Sequence, residues 1–330
     1  MDGFVTTVDR GRYGCLTQSR LITAMKAREL GPRSVVVGDR VAIAGDTSGA
    51  EGTLARIVRV HPRTSALRRS ADDTDPVERV IVANAERLVV VCALAQPPPR
   101  VRFIDRCLVA AYDAGIDPLL CLTKADLAAP RDLLAVYEPL GVPRLVTSRP
   151  FPAGQLNELR TALAGHVSVF IGQSGVGKST LVNVLVPEAD RAVGTVNPVT
   201  GRGRHTSSSA IALPLPGGGW LIDTPGLRGF GLGHVTPQRV VQAFGDLAEG
   251  TGDCPPGCDH LGPDCALDAW ARAHGALARL DSLRRLLRSR EPREPASFPA
   301  RPPPEPLSPT LRHCCHVSRT LAWSRRSQRR

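Results

Sequence analysis

Residues Gly172-Gln173-Ser174-Gly175-Val176-Gly177-Lys178-Ser179 come directly after the largely apolar run 167–171 and open a helical pattern near 179–186. This is the stretch that most restricts the fold. Its glycines let the backbone wrap so that successive N–H groups converge, and the helix that follows adds positive potential at its N-terminus. Such a loop cradles phosphates. Lys178 is placed to bridge a β- and a γ-phosphate and Ser179 to ligate Mg²⁺, with Thr180 beside it in the first turn. A strand, this loop and a helix in succession belong to an α/β sheet.

The surrounding pattern agrees. Strands are predicted at 88–92, 118–122, 145–147, 167–171 and 220–222, interleaved with helices near 103–114, 153–165 and 179–186. Continuous apolar runs of this length suit a parallel sheet covered on both faces.

A phosphate loop alone does not choose between adenine and guanine. Thr123-Lys124-Ala125-Asp126, placed immediately after the strand at 118–122, favours guanine. The Asp126 carboxylate can accept hydrogen bonds from the N1–H and 2-amino group of guanine, which adenine does not offer at that edge, while Lys124 lies along the base plane. Thr147-Ser148 at the end of the next strand adds a second loop on the base side. Asp223-Thr224-Pro225-Gly226 follows the strand at 220–222 and supplies a water-mediated Mg²⁺ contact from Asp223 and a γ-phosphate contact from the Gly226 amide. Many GTPases place Gln after that glycine to orient the attacking water. Here it is Leu227, which cannot, so the group must come from elsewhere.

Between these lies Gly201-Arg202-Gly203-Arg204-His205-Thr206-Ser207-Ser208, read as the switch segment, where Thr206 can complete the Mg²⁺ shell. His205 either positions water or is an ordinary surface histidine. The motif order is the informative part. The base-reading loop precedes the phosphate loop, so this is a circularly permuted GTPase; permutation leaves unchanged which loops meet at the carboxyl edge of a parallel sheet.

Charge and cysteines organise the rest. The formal net charge is +11, concentrated at both ends: residues 1–70 carry twelve Lys/Arg against six Asp/Glu, and 291–330 carry eight Arg against three Glu. Basic ends flanking a neutral centre suit an anionic polymer such as RNA. Residues 1–72 read as a small OB-like β-barrel with strands at 4–8, 35–37, 41–43 and 53–60 and a hairpin turn at Gly38-Asp39. Residues 73–235 form the GTPase domain after a polar linker at 71–76, and 236–290 a helical zinc-binding domain. The last forty residues, 291–330, with eight prolines, read as a disordered basic tail.

Cys254, Cys258, His260 and Cys265 have the C-x₃-C-x-H-x₄-C spacing of one structural, closed Zn²⁺ site. Cys15, Cys92, Cys107 and Cys121 stand singly in apolar surroundings and read as core. The crowded His313-Cys314-Cys315-His316 run is not read as a metal site. The leucines of a helix near 279–290 read as a packing face. No run is apolar enough to span a bilayer and no signal-peptide pattern opens the chain, so the expectation is a cytoplasmic monomer without a membrane partner.

A basic barrel, a permuted GTPase with these motifs and a Cys-Cys-His-Cys module together resemble the small ribosomal subunit biogenesis GTPases of the RsgA (YjeQ) family, over roughly residues 3–290. The resemblance implies an OB-fold N-terminal domain, binding of the small subunit and its rRNA late in assembly, and release on ribosome-stimulated GTP hydrolysis. It also implies a role for His205 in that stimulated step. Thr123 stands where the family usually has Asn, and the zinc spacing is one residue shorter than in some members. The rival readings are a GTP-responsive RNA clamp with negligible hydrolysis, motivated by Leu227, and a small-molecule kinase, which Asp126 and the zinc module disfavour.

Overall fold

A computed structural model describes residues 1–18, 20–31, 34–70, 78–187, 210–224 and 231–290. The 71–76 linker, the 201–208 switch segment with His205 and Thr206, Gly226 and Leu227, and the 291–330 tail all lie outside the described residues.

Strands β1 (Asp2–Asp9), β2 (Arg12–Thr17), β3 (Arg20–Lys26), β4 (Arg40–Gly45) and β5 (Ala55–Val60) close on themselves in the order β1-β2-β3-β5-β4-β1. The β3–β5 pair is parallel and the other four are antiparallel. This is the OB-fold connectivity, and closure leaves no free edge. Alternation drives it: Val5, Tyr13, Cys15, Ile22, Ala24, Val41, Ile43, Ala55 and Ile57 point into one core, while Arg12, Thr23, Met25 and Arg56 face water.

Two barrel expectations change. Strands β2 and β3 are absent from the sequence-based reading, and the run at 35–37 is not one arm of a hairpin. Val37 instead bridges Val82, the Gly38 N–H donates to the Val5 carbonyl of β1 while the Val5 N–H donates to the Asp39 carbonyl, and the buried Asp39 carboxylate accepts from the Val36 N–H at 2.7 Å and from the Arg63 Nε at 2.7 Å. A Cβ on Gly38 would lie 2.1 Å from the Ala83 carbonyl oxygen, so two backbones meet there.

Beyond a hairpin of β6 (Ala66–Arg69) and β7 (Arg79–Ala83), the α/β part begins. Strands β8 (Arg87–Ala93), β9 (Asp117–Thr123), β10 (Arg144–Val146), β11 (Val167–Gly172) and β13 (Trp220–Asp223) are parallel, in the order β10-β9-β8-β11-β13. Strand β12 (Ile211–Pro214) runs antiparallel at the edge and pairs with β1 through Thr7 and Ile211, where Phe4 stacks on Trp220 with ring centroids 4.7 Å apart. Barrel and sheet are therefore hydrogen-bonded into one eleven-stranded surface.

Strand β8 shows why its run is uniformly apolar. Leu88, Val90 and Cys92 face a core with helix α1 (Val101–Ala114), whereas Val89, Val91 and Ala93 face a second core with α3 (Ala153–Leu163) and α4 (Lys178–Leu185). Between β9 and β10 lies α2 (Arg131–Tyr137). The chain then adds α5 (Pro237–Gln242), α6 (Gly245–Glu249), α7 (Leu267–Ala273) and α8 (Leu277–Arg290). Leu280, Leu283, Leu286 and Leu287 of α8 are buried in the α1-side core, each contributing on the order of 1.5–3 kcal/mol. Cys15, Cys92, Cys107 and Cys121 are buried as read. Among the described residues no helix is long and apolar enough to cross a membrane.

Candidate functional site

The carboxyl ends of the parallel strands open onto a cavity of about 520 Å³, within the size range of small-molecule sites, at the sheet edge where α/β proteins bind ligands. The loop after β11 forms its floor. A Cβ on Gly172 would lie 2.7 Å from the Val91 carbonyl oxygen and 2.9 Å from Val176 Cγ2, so the strand can pass only as glycine. Gly177 has φ 95° and is the N-cap of α4, a conformation that is free only to glycine. It turns the chain so that the unpaired N–H groups of the first helical turn meet the cavity.

Thirteen of the residues expected from sequence line this cavity: Thr123, Lys124, Thr147, Ser148, Gly172, Gln173, Ser174, Gly175, Gly177, Lys178, Ser179, Thr180 and Asp223. Val176 does not line the cavity: it is buried, with its side chain in the core of the α3–α4 face. Lys178 and Asp223 meet as an ion pair with both side chains largely shielded from water. Asp223 is held in place because the next residue, Thr224, is 2% exposed and donates its hydroxyl to the Phe170 carbonyl at 2.8 Å. Ser179 and Asp223 thus offer oxygen donors from facing loops, the donor chemistry Mg²⁺ takes. The residues present fit that ion.

At the other end stand the base-side loops. The Thr123 hydroxyl donates to the Val176 carbonyl at 2.5 Å, tying this loop to the phosphate loop. Lys124 has φ 60° and its Nζ reaches the Gln96 carbonyl. The Ala125 N–H donates to the Thr147 carbonyl at 3.1 Å, and Asp126 Oδ1 accepts from the Arg149 N–H at 2.9 Å. Ala125 and Asp126 do not line the cavity; Asp126 stands exposed beside Arg149, which does. Arg149, Phe151 and Leu181 complete the lining and escaped the sequence reading. Only adjacency to Thr147-Ser148 pointed to Arg149, and Phe151 carries no motif at all.

The second constellation is separate. The ligand atoms of Cys254, Cys258, His260 and Cys265 all lie within 4.8 Å of one another. Cys254 Sγ is 3.8 Å from Cys265 Sγ, and His260 Nδ1 is 3.7 and 3.6 Å from those two sulfurs. A tetrahedron with metal–sulfur bonds of about 2.3 Å has edges of about 3.8 Å, so the set has the dimensions of a Zn²⁺ centre. Burial holds the His260 imidazole below its usual pKa, which favours the neutral, ligating form. Arg284 of α8 fastens the knuckle, donating to the His260 carbonyl at 3.0 Å and to both Asp268 oxygens at 2.9 and 2.6 Å. The cluster can hold one metal ion.

Comparison with known proteins matches residues 60–233 to the family described as RsgA GTPase. The chain is 44% identical over 242 residues to the small ribosomal subunit biogenesis GTPase RsgA of Pseudomonas aeruginosa, covering 71% of this chain and 69% of the relative. It is 46% identical over 242 residues to the protein of that name from Azotobacter vinelandii, covering 71% and 68%. Two solved structures share the fold. The crystal structure of YjeQ from Thermotoga maritima has a TM-score of 0.62 at 23% identity, covering 89% of this chain and 99% of that one. YloQ, a circularly permuted GTPase, has a TM-score of 0.60 at 22% identity, covering 89% and 96%. Taken with the permuted loops around one cavity, these matches settle the classification: the chain belongs to the RsgA GTPase family and is a GTP-hydrolysing enzyme.

Proposed function

We propose that this protein acts late in the maturation of the small ribosomal subunit as a cytoplasmic monomer, gripping rRNA and using GTP hydrolysis to time its release. The observation that carries the reading is that Thr123 and Lys124, the glycines, Lys178, Ser179 and Thr180 of the phosphate loop, and Asp223 line one cavity, in a chain similar to proteins named for small-subunit biogenesis. In this reading residues 1–72, 73–235 and 236–290 divide the work of RNA grip, nucleotide chemistry and a zinc-stabilised second contact. The barrel supports the first role. Arg10, Arg12, Arg20, Arg28, Arg40, Arg56 and Arg59 are all exposed on it, and barrels of this connectivity bind nucleic acid along one face.

At the nucleotide, Asp126 and Lys124 read and cover the guanine, while the first-turn amides of α4 and Lys178 hold the β- and γ-phosphates. Mg²⁺ held by Ser179 and Asp223 would neutralise phosphate charge when bound. Lys178, paired with Asp223 in this structure, exchanges that partner for phosphate oxygens when nucleotide enters. Leu227 cannot orient water, so His205 or the ribosome supplies that function, with Thr206 and the Gly226 amide sensing the γ-phosphate. Cys254, Cys258, His260 and Cys265 hold one structural Zn²⁺ with no open position for catalysis.

GTP turnover with and without purified small subunits tests the reading. Stimulation by the subunit, lost in His205→Ala, is expected; unstimulated turnover in its presence overturns the release mechanism.

A further inference from the structure

We propose that Gln155 is a positioning residue for the guanine base, acting through the turn at 147–149. The proposal rests on the assignment of Asp126 as the guanine reader made above. In the structure three consecutive backbone N–H groups of this turn have three different partners. That of Thr147 donates to the Leu122 carbonyl at 2.7 Å, that of Ser148 to Gln155 Oε1 at 3.0 Å, and that of Arg149 to Asp126 Oδ1 at 2.9 Å. The Ser148 hydroxyl donates to the same Gln155 oxygen at 3.3 Å. The turn is therefore pinned on one side to strand β9 and on the other to helix α3.

Gln155 is the third residue of α3, and Pro152 is its N-cap. A glutamine at that position ordinarily reaches back to the N–H of the N-cap residue. Proline has none, which leaves the side chain to reach Ser148. The post is firm, since Leu159 and Leu163 of the same helix are 0% exposed.

Guanine presents O6 as an acceptor next to its N1–H and 2-amino donors. When those donors take the Asp126 carboxylate, the Arg149 N–H is released and stands beside O6, while the Thr147 and Ser148 N–H groups stay engaged. Gln155 thus sets which amide faces the base, without touching the base.

The test uses the full chain and the variants Gln155→Ala and Gln155→Glu, measuring affinity for GDP, for 6-thio-GDP, whose sulfur accepts hydrogen bonds far less well than O6, and for IDP, which lacks the 2-amino group, together with the melting temperature. Gln155→Ala is expected to weaken GDP by about three- to tenfold and 6-thio-GDP by less, lowering the ratio of the two affinities. Gln155→Glu, which can accept the same two hydrogens, is expected to restore it. An unchanged ratio in Gln155→Ala, whether or not the protein melts earlier, overturns the proposal, as does a Gln155→Glu protein that behaves like Gln155→Ala. A wild-type protein that binds IDP as tightly as GDP overturns instead the assignment of Asp126.

Discussion

Asp126 and Thr123 stand three positions apart in one loop, yet they differ in how far sequence reveals them. Asp126 stands out in the sequence as the proposed guanine reader because a carboxylate can accept both guanine donors, and the structure sets its Oδ1 2.9 Å from the Arg149 N–H beside the cavity. Thr123 replaces the Asn usual in the family, and its consequence shows only in the fold: its hydroxyl donates to the Val176 carbonyl at 2.5 Å. The shorter side chain still joins base loop to phosphate loop. Exchanging the carboxylate for an amide replaces one acceptor oxygen with an NH₂ donor facing the guanine 2-amino group. Asp126→Asn is therefore expected to weaken GDP by about tenfold or more and to improve XDP, whose 2-oxo group accepts from that amide. Competition binding of the two nucleotides measures it, and an unchanged preference for GDP contradicts the assignment. Gln155 carried no signal in the sequence, because its partner lies seven residues away across a turn whose path depends on the packing of α3.

At the scale of elements, buried parallel strands were the easiest to read. Strand β8 is covered on both faces, so nearly every residue must be apolar, and such a run is visible without any partner. The barrel strands β2 and β3 were harder. Each has one wet face, and Arg12, Thr23 and Met25 dilute the apolar pattern to alternate positions. The segment at 35–37 misled for the opposite reason: Val35 and Val37 are buried, but in a single extended crossing that meets β1 and β7. The Cys/His knuckle was legible from spacing because four potential ligands within twelve residues can surround one ion. Its attachment was not, because Arg284 reaches the His260 carbonyl from 24 residues away. Chelating the metal is expected to open 254–265 to proteolysis and lower the melting temperature, since ligand binding free energy is folding free energy in such a module. GDP affinity should be retained, because no residue of the knuckle lines the nucleotide cavity. Limited proteolysis and nucleotide binding with and without chelator check both halves.

Across the whole molecule, joints between distant segments decide the arrangement. Asp105 of α1, 2% exposed, pairs with Arg285 of α8, whose Nε lies 3.3 and 3.2 Å from its two oxygens across 180 residues of chain. Arg285 also lies over the Tyr137 ring at 5.2 Å. Burial pushes the Asp105 carboxyl above the usual carboxylate range, an effect that Arg285 opposes. A folded pKa above the unfolded one means the folded state holds the extra proton, so this contribution is present below pH ~4 and is lost as pH rises through the folded value. The stability of the wild type relative to Asp105→Asn should therefore decline between pH ~4 and neutrality, which urea unfolding of both proteins at the two ends of that window would reveal. A constant difference would contradict it. At the other end of the chain, Ser70 bonds Gly231 and Gly233 just beyond the 225–230 segment, and β12 joins β1. The segments that flank the γ-phosphate motifs are thus hydrogen-bonded to the N-terminal part. Sequence alone pointed to the chemistry: the phosphate loop, the carboxylate proposed to read guanine, the permuted order and a Cys/His cluster able to hold a metal. Each motif is a local pattern whose residues lie within about a dozen positions and whose geometry follows from backbone and ligand rules, and the permuted order is read off their succession along the chain. Tertiary structure alone decided the closed barrel, its pairing with the sheet, the Gln155 post and the Asp105–Arg285 joint. Those depend on which distant surfaces bury one another, and the partners carry no mark of it in their own neighbourhoods.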